Sequence, residues 1–251
     1  MPVGTSEFAR HGGDTTCYSL HHDDGSVIAI VDAGTGLRSI LPDVPGSGGT
    51  YNILVTHYHW DHIQGLSMCA PMWRRDIALR IFGLGDPARG IGDAITPPWF
   101  PVSIRDADVE FEASPDSFEI GGVNVTTFPL HHPQGGLGYR FDFEGQAIVV
   151  ATDHEAGTAA DRVLVEMSHG ADILVHDAQY LPEEIEEKKG YGHSTWEQAT
   201  KISAEAGVDQ LLFASHDPRR SDDEVDRLVE LASERFPNVA AAAPNQSFVP
   251  K

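Results

Sequence analysis

Short apolar, β-branched runs recur along this chain: Val27 to Val31, Ile53 to Val55, Leu79 to Phe82, Val123 to Phe128, Leu137 to Phe143, Ala147 to Val150, Ile173 to Val175 and Leu211 to Phe213. Their length and residue types predict strands, and most of them stop at Asp, His or Gly. Segments of helical composition separate several of these runs. Ser194-x-x-Glu197 and Ser221-x-x-Glu224 read as capping boxes, each opening a helix that runs to about Ala206 and Arg235 respectively. A third helix is predicted over Gly157 to Ser168, and a shorter one after His62. Strands alternating with helices late in the chain, after a hairpin-rich earlier half, predict α/β layers built on mixed sheets. Ile28 to Asp32 and Ile148 to Asp153 are each an apolar strand closed by Asp, a faint echo between the halves.

One stretch breaks the pattern. Pro71 to Pro101 carries Gly83, Gly85, Pro87, Gly90, Gly92, Pro97 and Pro98, with Trp73, Trp99 and Phe100 among them. It is too irregular for core strands and too aromatic for a linker. Within a single domain over 1–251 it reads either as an insertion folded over the active site or as a loop packed on its own aromatics.

The candidate chemistry begins where the run at Tyr51 to Val55 ends. Thr56-His57-Tyr58-His59-Trp60-Asp61-His62 places four potential metal ligands within six residues. In an extended segment His57 and His59 point the same way and can grip one ion. The chain must then turn for Asp61 and His62 to reach a second. A two-metal hydrolase needs about four ligands per ion, so others must come from elsewhere. His131-His132, Asp153 and His216 each stand where a strand pattern stops, the place where open α/β folds put their chemistry.

Composition narrows the partners. The 251 residues include 17 Lys and Arg against 38 Asp and Glu, a net charge of −21. Such a surface repels a phosphate backbone, which argues against long nucleic acids as substrates. The two cysteines, Cys17 and Cys69, form no CxxC pair and read as small hydrophobes rather than a disulfide or zinc thiolates. Met1 to Thr5 shows no leader pattern and no segment approaches 18 apolar residues, so a soluble, cytoplasmic protein without membrane contact is expected. Gln246 to Lys251 reads as a plain terminus. Homo-oligomer formation is compatible with all of this.

Taken together, Asp32-Ala33-Gly34-Thr35-Gly36, His57 to His62, His132-Pro133 with Gly138-Tyr139, Asp153 and Ser215-His216-Asp217-Pro218 resemble, in order and spacing, the successive motifs of the metallo-β-lactamase fold superfamily. The resemblance implies a four-layer αββα sandwich of two mixed sheets. It also implies that His57, His59 and His132 hold one divalent ion and that Asp61, His62 and His216 hold another, with Asp153 bridging. His131 then becomes a loop residue behind His132. Asp32 resembles a structural aspartate that orients ligand histidines, and Gly34 and Gly36 would permit the turn. Imidazole and carboxylate ligands suit Zn²⁺ first, with Mn²⁺ or Fe²⁺ as alternatives.

The fold hosts many chemistries, so it chooses no substrate. His176-Asp177-Ala178-Gln179-Tyr180 and Gly192-His193-Ser194-Thr195 resemble paired motifs of the phosphodiesterase branch that contains tRNase Z, and their setting is similar to bacterial cyclic-nucleotide phosphodiesterases. By that likeness Asp177 orients His193, which protonates the leaving oxygen, while Asp61 helps orient the nucleophile. Asp177 stands where glutamate is more usual, a shorter reach toward His193. The expected substrate is a small phosphodiester such as a 3′,5′-cyclic nucleotide, with Thr96 to Pro101 offering aromatic faces to a base. The alternatives are a hydrolase of a ribose cyclic phosphate, lactone or thioester, and a non-catalytic metal-binding protein. A diiron redox enzyme would be expected to carry a flavin-binding domain, and none is read in these residues. His21, His22, His154 and His169 fall outside the expected site, and His176 is ambiguous.

Overall fold

The computed structural model describes residues 5–41 and 48–250. The readings of Met1 to Gly4 and of Lys251 therefore lie outside the described residues. The chain divides into two compact units: Asp14–Pro115 with Glu119–Gly122, and Met1–Gly13 with Asp116–Phe118 and Val123–Lys251.

The first unit holds β1 (Tyr18–His21), β2 (Val27–Val31), β3 (Gly49–Leu54), β4 (Ile77–Gly83) and β5 (Val109–Ala113), hydrogen-bonded in that order. β1 runs antiparallel to β2 and the remaining pairs are parallel, so the sheet is mixed. Ile30, Ile53, Leu79 and Ile81 are buried with Leu66, Met72 and Ile91 from α1 (Trp60–Ile63), α2 (Gly65–Met68), α3 (Pro87–Gly92) and the turns around them. Within 71–101, Ile77–Gly83 lies inside the sheet as the Leu79 to Phe82 run predicts, and the residues after Gly83 form α3 and turns. Trp73 and Phe100 stack there at 6.1 Å between ring centroids, while Trp99 is 79% exposed.

The second sheet contains β6 (Ser117–Ile120), β7 (Val123–Leu130), β8 (Gly136–Phe143), β9 (Gln146–Ala151), β10 (Ile173–Asp177), β11 (Gln210–Ala214) and β12 (Val239–Ala241), in the order β12-β11-β10-β9-β8-β7-β6. β9 to β12 are parallel, and the β7–β8 and β8–β9 pairs are antiparallel. Leu164, Ala199, Ile202 and Leu228 of α4 (Ala160–Met167), α5 (Trp196–Ala206) and α6 (Asp222–Ser233) cover its apolar residues Val149, Leu174, Leu211 and Phe213. Two mixed sheets flanked by helices agree with the expected α/β class.

The helix ends adjust the sequence reading. Ser221 caps α6 through the expected box with Glu224. The α5 box sits one residue later than expected, at Thr195 and Gln198, because the Ser194 hydroxyl is spent on the backbone carbonyl of His154. α4 begins at Ala160 rather than Gly157, since Asp161 turns back to accept from the Gly157 and Thr158 amides. No helix of the described residues is long and apolar enough to cross a membrane.

Candidate metal centre

In the first unit the metal motif follows β3 as an extended loop and then turns. His59 is the extended residue that opens α1, so His57 and His59 lie before the turn and Asp61 and His62 on the helix. The His57 ring lies 4.5 Å from that of His59 and 4.1 Å from that of His62. Asp61 is exposed, its carboxylate 3.6 Å from His62 Nε2.

Beneath these rings stands Asp32, fully buried, at a φ of 61° just past β2. It accepts from the Thr56 amide at 2.8 Å, from the Thr56 hydroxyl, and from His62 Nδ1 at 2.7 Å. Because Thr56 donates to Asp32, its oxygen is left to accept from His57 Nδ1, 3.1 Å away. One carboxylate thereby sets both rings with Nδ1 protonated, so that Nε2 is the nitrogen that could hold a metal, the usual support of a metal-bound imidazole. Burial pushes the Asp32 carboxyl up, opposed chiefly by His62. Gly34 is extended rather than a turn former. A Cβ there would lie 2.5 Å from the Thr16 carbonyl oxygen, so close backbone approach is what requires glycine.

In the second unit three strand ends converge. Past β7, His132 is buried and His131 exposed. His132 Nδ1 donates to the Gly192 carbonyl at 2.8 Å, which leaves Nε2 facing the Asp153 carboxylate at 4.0 Å. Asp153, past β9, has a φ of 55°, so the echo with Asp32 extends to the backbone. Ser215 Oγ donates to Asp153 at 2.6 Å. His193 joins them: the ligand atoms of His132, Asp153 and His193 all lie within 4.8 Å of one another.

His193 Nδ1 is 2.5 Å from Asp177 Oδ2, so the aspartate spans the gap despite its shorter side chain. Asp177 is fully buried, and its other oxygen accepts from the Gln179 and Ser194 amides. Burial pushes its carboxyl up, opposed by His193. The His193 ring is flanked edge-on by His132 at 5.3 Å and by Tyr180 at 5.7 Å.

His216 is buried, and among the described residues neither ring nitrogen makes a hydrogen bond of ordinary geometry. Burial pushes its imidazole down to about 4, keeping it neutral. Its ring faces His11 at 6.1 Å, and His11 is tied to Asp226 at 2.8 Å. Nothing in the local sequence singles out His11. His154 points away from Asp153 into a buried contact with Asp161, and His176 Nδ1 donates to the Asp177 carbonyl. His21 and His169 are exposed.

These donor sets fit divalent ions. His57, His62 and His132 each use Nδ1 on an oxygen of the protein, turning Nε2 toward neighbouring His or Asp ligands. The comparisons with known proteins give the family and the fold. A family model described as Beta-lactamase superfamily domain matches residues 29–216. Ribonuclease Z of Ignicoccus hospitalis is 42% identical over 102 residues, which are 41% of this chain and 33% of that protein. The chain spans between 22% and 33% of the first curated relatives it matches. Among solved structures, the metallo-β-lactamase fold protein YhfI of Bacillus subtilis superposes with a TM-score of 0.73 at 19% identity, covering 96% of this chain and 95% of that one. The short form of human tRNase Z gives 0.68 at 18% identity, covering 97% and 96%. With the family model spanning most of its length, the chain belongs to the β-lactamase superfamily domain family, and its fold is that of the metallo-β-lactamases.

Proposed function

We propose that this chain is a two-metal hydrolase, a phosphodiesterase acting on a small phosphodiester, a 3′,5′-cyclic nucleotide being the first candidate. The single observation that carries the reading is the Asp177–His193 pair beside Asp153 and His132. A lactone or thioester hydrolase has less need of a buried carboxylate dedicated to one imidazole at its metal cluster. The partial likeness to ribonuclease Z supports phosphodiester chemistry. The net charge of −21 weighs against a long nucleic acid and for a compact substrate.

In this reading His57, His59 and His132 would hold one ion and Asp61, His62 and His216 the other, with Asp153 available to both. When bound, such ions would supply Lewis acidity and a water acidic enough to react at neutral pH. The chain does the rest. Asp61, exposed beside His62, orients the attacking water. Asp177 has one oxygen fixed by two backbone amides and offers the other to His193 Nδ1, so the ring presents Nε2–H toward the leaving oxygen as general acid. α3 packs on the Tyr58 ring at Gly90, the Tyr58 hydroxyl donates to the Leu84 carbonyl at 2.7 Å, and the exposed Trp99 offers a face on which a base can stack.

A ribose cyclic phosphate is the second reading, since the same acid and the same ions serve any small phosphodiester and the shared fold favours none. The test is hydrolysis of bis-p-nitrophenyl phosphate, cyclic nucleotides, cyclic ribose phosphates and lactones by protein reconstituted with Zn²⁺, Mn²⁺ or Fe²⁺. His193→Ala should lower phosphodiester kcat by about 10² to 10⁴. Cleavage of lactones alone, indifferent to that change, would overturn the proposal.

A further inference from the structure

Asp153, His154 and Glu155 are consecutive, yet their side chains serve three different neighbours. Asp153 faces His132. His154 is fully buried; its Nδ1 accepts from the His131 amide at 3.1 Å, so Nε2 carries the proton and donates to Asp161 at the start of α4. Glu155 reaches the other way. Its carboxylate accepts from the Gly190 and Gly192 amides, each at 2.9 Å, and Gly192 is the residue whose carbonyl orients His132. From the opposite loop, the buried Ser194 hydroxyl donates to the His154 carbonyl and accepts from the Ala156 amide at 3.1 Å. The Ser194 amide in turn fixes Asp177 at 2.9 Å.

We propose that Glu155 and Ser194 are positioning residues: a two-point clamp that locks the loop carrying Asp153 to the loop carrying His193, and so sets the spacing of His132, Asp153 and His193. Neither residue touches the reacting atoms. One end of the clamp is an anion on two backbone amides, and the other is a hydroxyl that satisfies a buried carbonyl and a buried amide at once. Losing the Ser194 hydroxyl leaves a buried carbonyl and a buried amide unpaired, losing the Glu155 carboxylate releases the Gly190 and Gly192 amides, and either change frees one loop to move against the other. The inference rests on the phosphodiesterase reading for its catalytic readout only, because loop spacing also sets metal affinity.

The test uses Ser194→Ala, Glu155→Ala, the double variant, and Glu155→Gln, whose amide oxygen can still accept from the glycine loop. Each alanine variant should lower kcat on bis-p-nitrophenyl phosphate by about 10- to 100-fold and weaken Zn²⁺ binding by a similar factor, with KM changed less than about threefold. Glu155→Gln should recover most of both losses. The double variant should lose less than the product of the singles, because both act on one loop pair. Alanine variants with a lowered Tm but unchanged kcat and Zn²⁺ affinity would show a merely structural role and overturn the clamp. If the wild type cleaves no phosphodiester, the functional reading fails while Zn²⁺ titration of the same variants still decides the clamp. If Ser194→Ala does not fold, the half-buried Glu155 carries the test.

Discussion

The Asp177→Asn substitution probes the proposed acid without touching a proposed metal ligand. Asp177 Oδ1 is held by the Gln179 amide at 3.0 Å and the Ser194 amide at 2.9 Å, so an asparagine must keep its carbonyl oxygen there. Its amide nitrogen then takes the Oδ2 position, 2.5 Å from His193 Nδ1. A donor now faces the ring nitrogen that should be donating, and the imidazole is driven to the wrong tautomer. The charge-assisted bond that is lost is worth about 1.5 to 3 kcal/mol. At about 1.4 kcal/mol per tenfold, kcat should fall by roughly 10- to 150-fold. The volume is unchanged and no proposed ligand is altered, so bound metal should hold, while Tm falls by the few degrees the lost bond implies.

The assay is steady-state hydrolysis of bis-p-nitrophenyl phosphate in a cycle with His193→Ala. If Asp177 acts through His193, Asp177→Asn should cost almost nothing once the ring is gone. A loss of the same size in the His193→Ala background, or no loss in the wild type, would refute the pairing as a functional unit.

Two further predictions address the fold around the site. Gly192 sits at a φ of 86°, and a Cβ there would lie 2.2 Å from His132 Nδ1 and 2.3 Å from Pro133 Cδ, so Gly192→Ala should reduce both Tm and kcat. Gly207→Ala, at a φ of 67° with open space around it, should cost only about 1 to 2 kcal/mol of stability in urea titrations; equal effects on kcat would contradict the Gly192 argument. His176 is fully buried, and burial pushes its imidazole down to about 3, whereas the unfolded chain protonates it near 6.5. The unfolded state therefore gains the proton first as pH falls, and this residue withdraws up to about 1.4 kcal/mol of stability per pH unit from about 6.5 down toward 3. His176→Asn should flatten the decline of urea stability between pH 7 and 5, and an unchanged slope would rule the residue out.

The strands that escaped the sequence reading share one property. β1, β5, β6 and β12 are the four sheet edges, and the eight strands read from apolar runs are the interior ones. Interior strands such as β2, β10 and β11 are buried along nearly their whole length and read as continuous apolar runs. An edge such as Val109-Glu110-Phe111-Glu112-Ala113 is half exposed and alternates, so a search for apolar runs passes over it. The α5 cap was misplaced for a related reason: Ser194 has the right chemistry for a cap, but a partner 40 residues away claims its hydroxyl.

The same distinction separates the legible part of the site from the rest. The proposed ligands His57, His59, His62, His132, Asp153 and His216 announce themselves because His and Asp at strand ends are unusual residues in unusual places. Glu155, Ser194 and Gly192 are common residues whose roles come from bonds spanning 37, 40 and 60 positions, from Gly192 to Glu155, Ser194 to His154 and His132 to Gly192. No local pattern encodes those. They also explain how Asp177 reaches His193 with a side chain shorter than glutamate. The Ser194 amide binds one Asp177 oxygen, and His193 precedes it in the chain, so the backbone brings the imidazole to the shorter carboxylate. A longer acid at this position would need that loop to stand farther off. Asp177 and the clamp that seats the 190–194 loop are therefore parts of one solution. Asp177→Glu should lower kcat on bis-p-nitrophenyl phosphate in the wild-type background and lower it less in Ser194→Ala, where the loop is free to move back. Equal losses in the two backgrounds would separate the length of the acid from the seating of the loop.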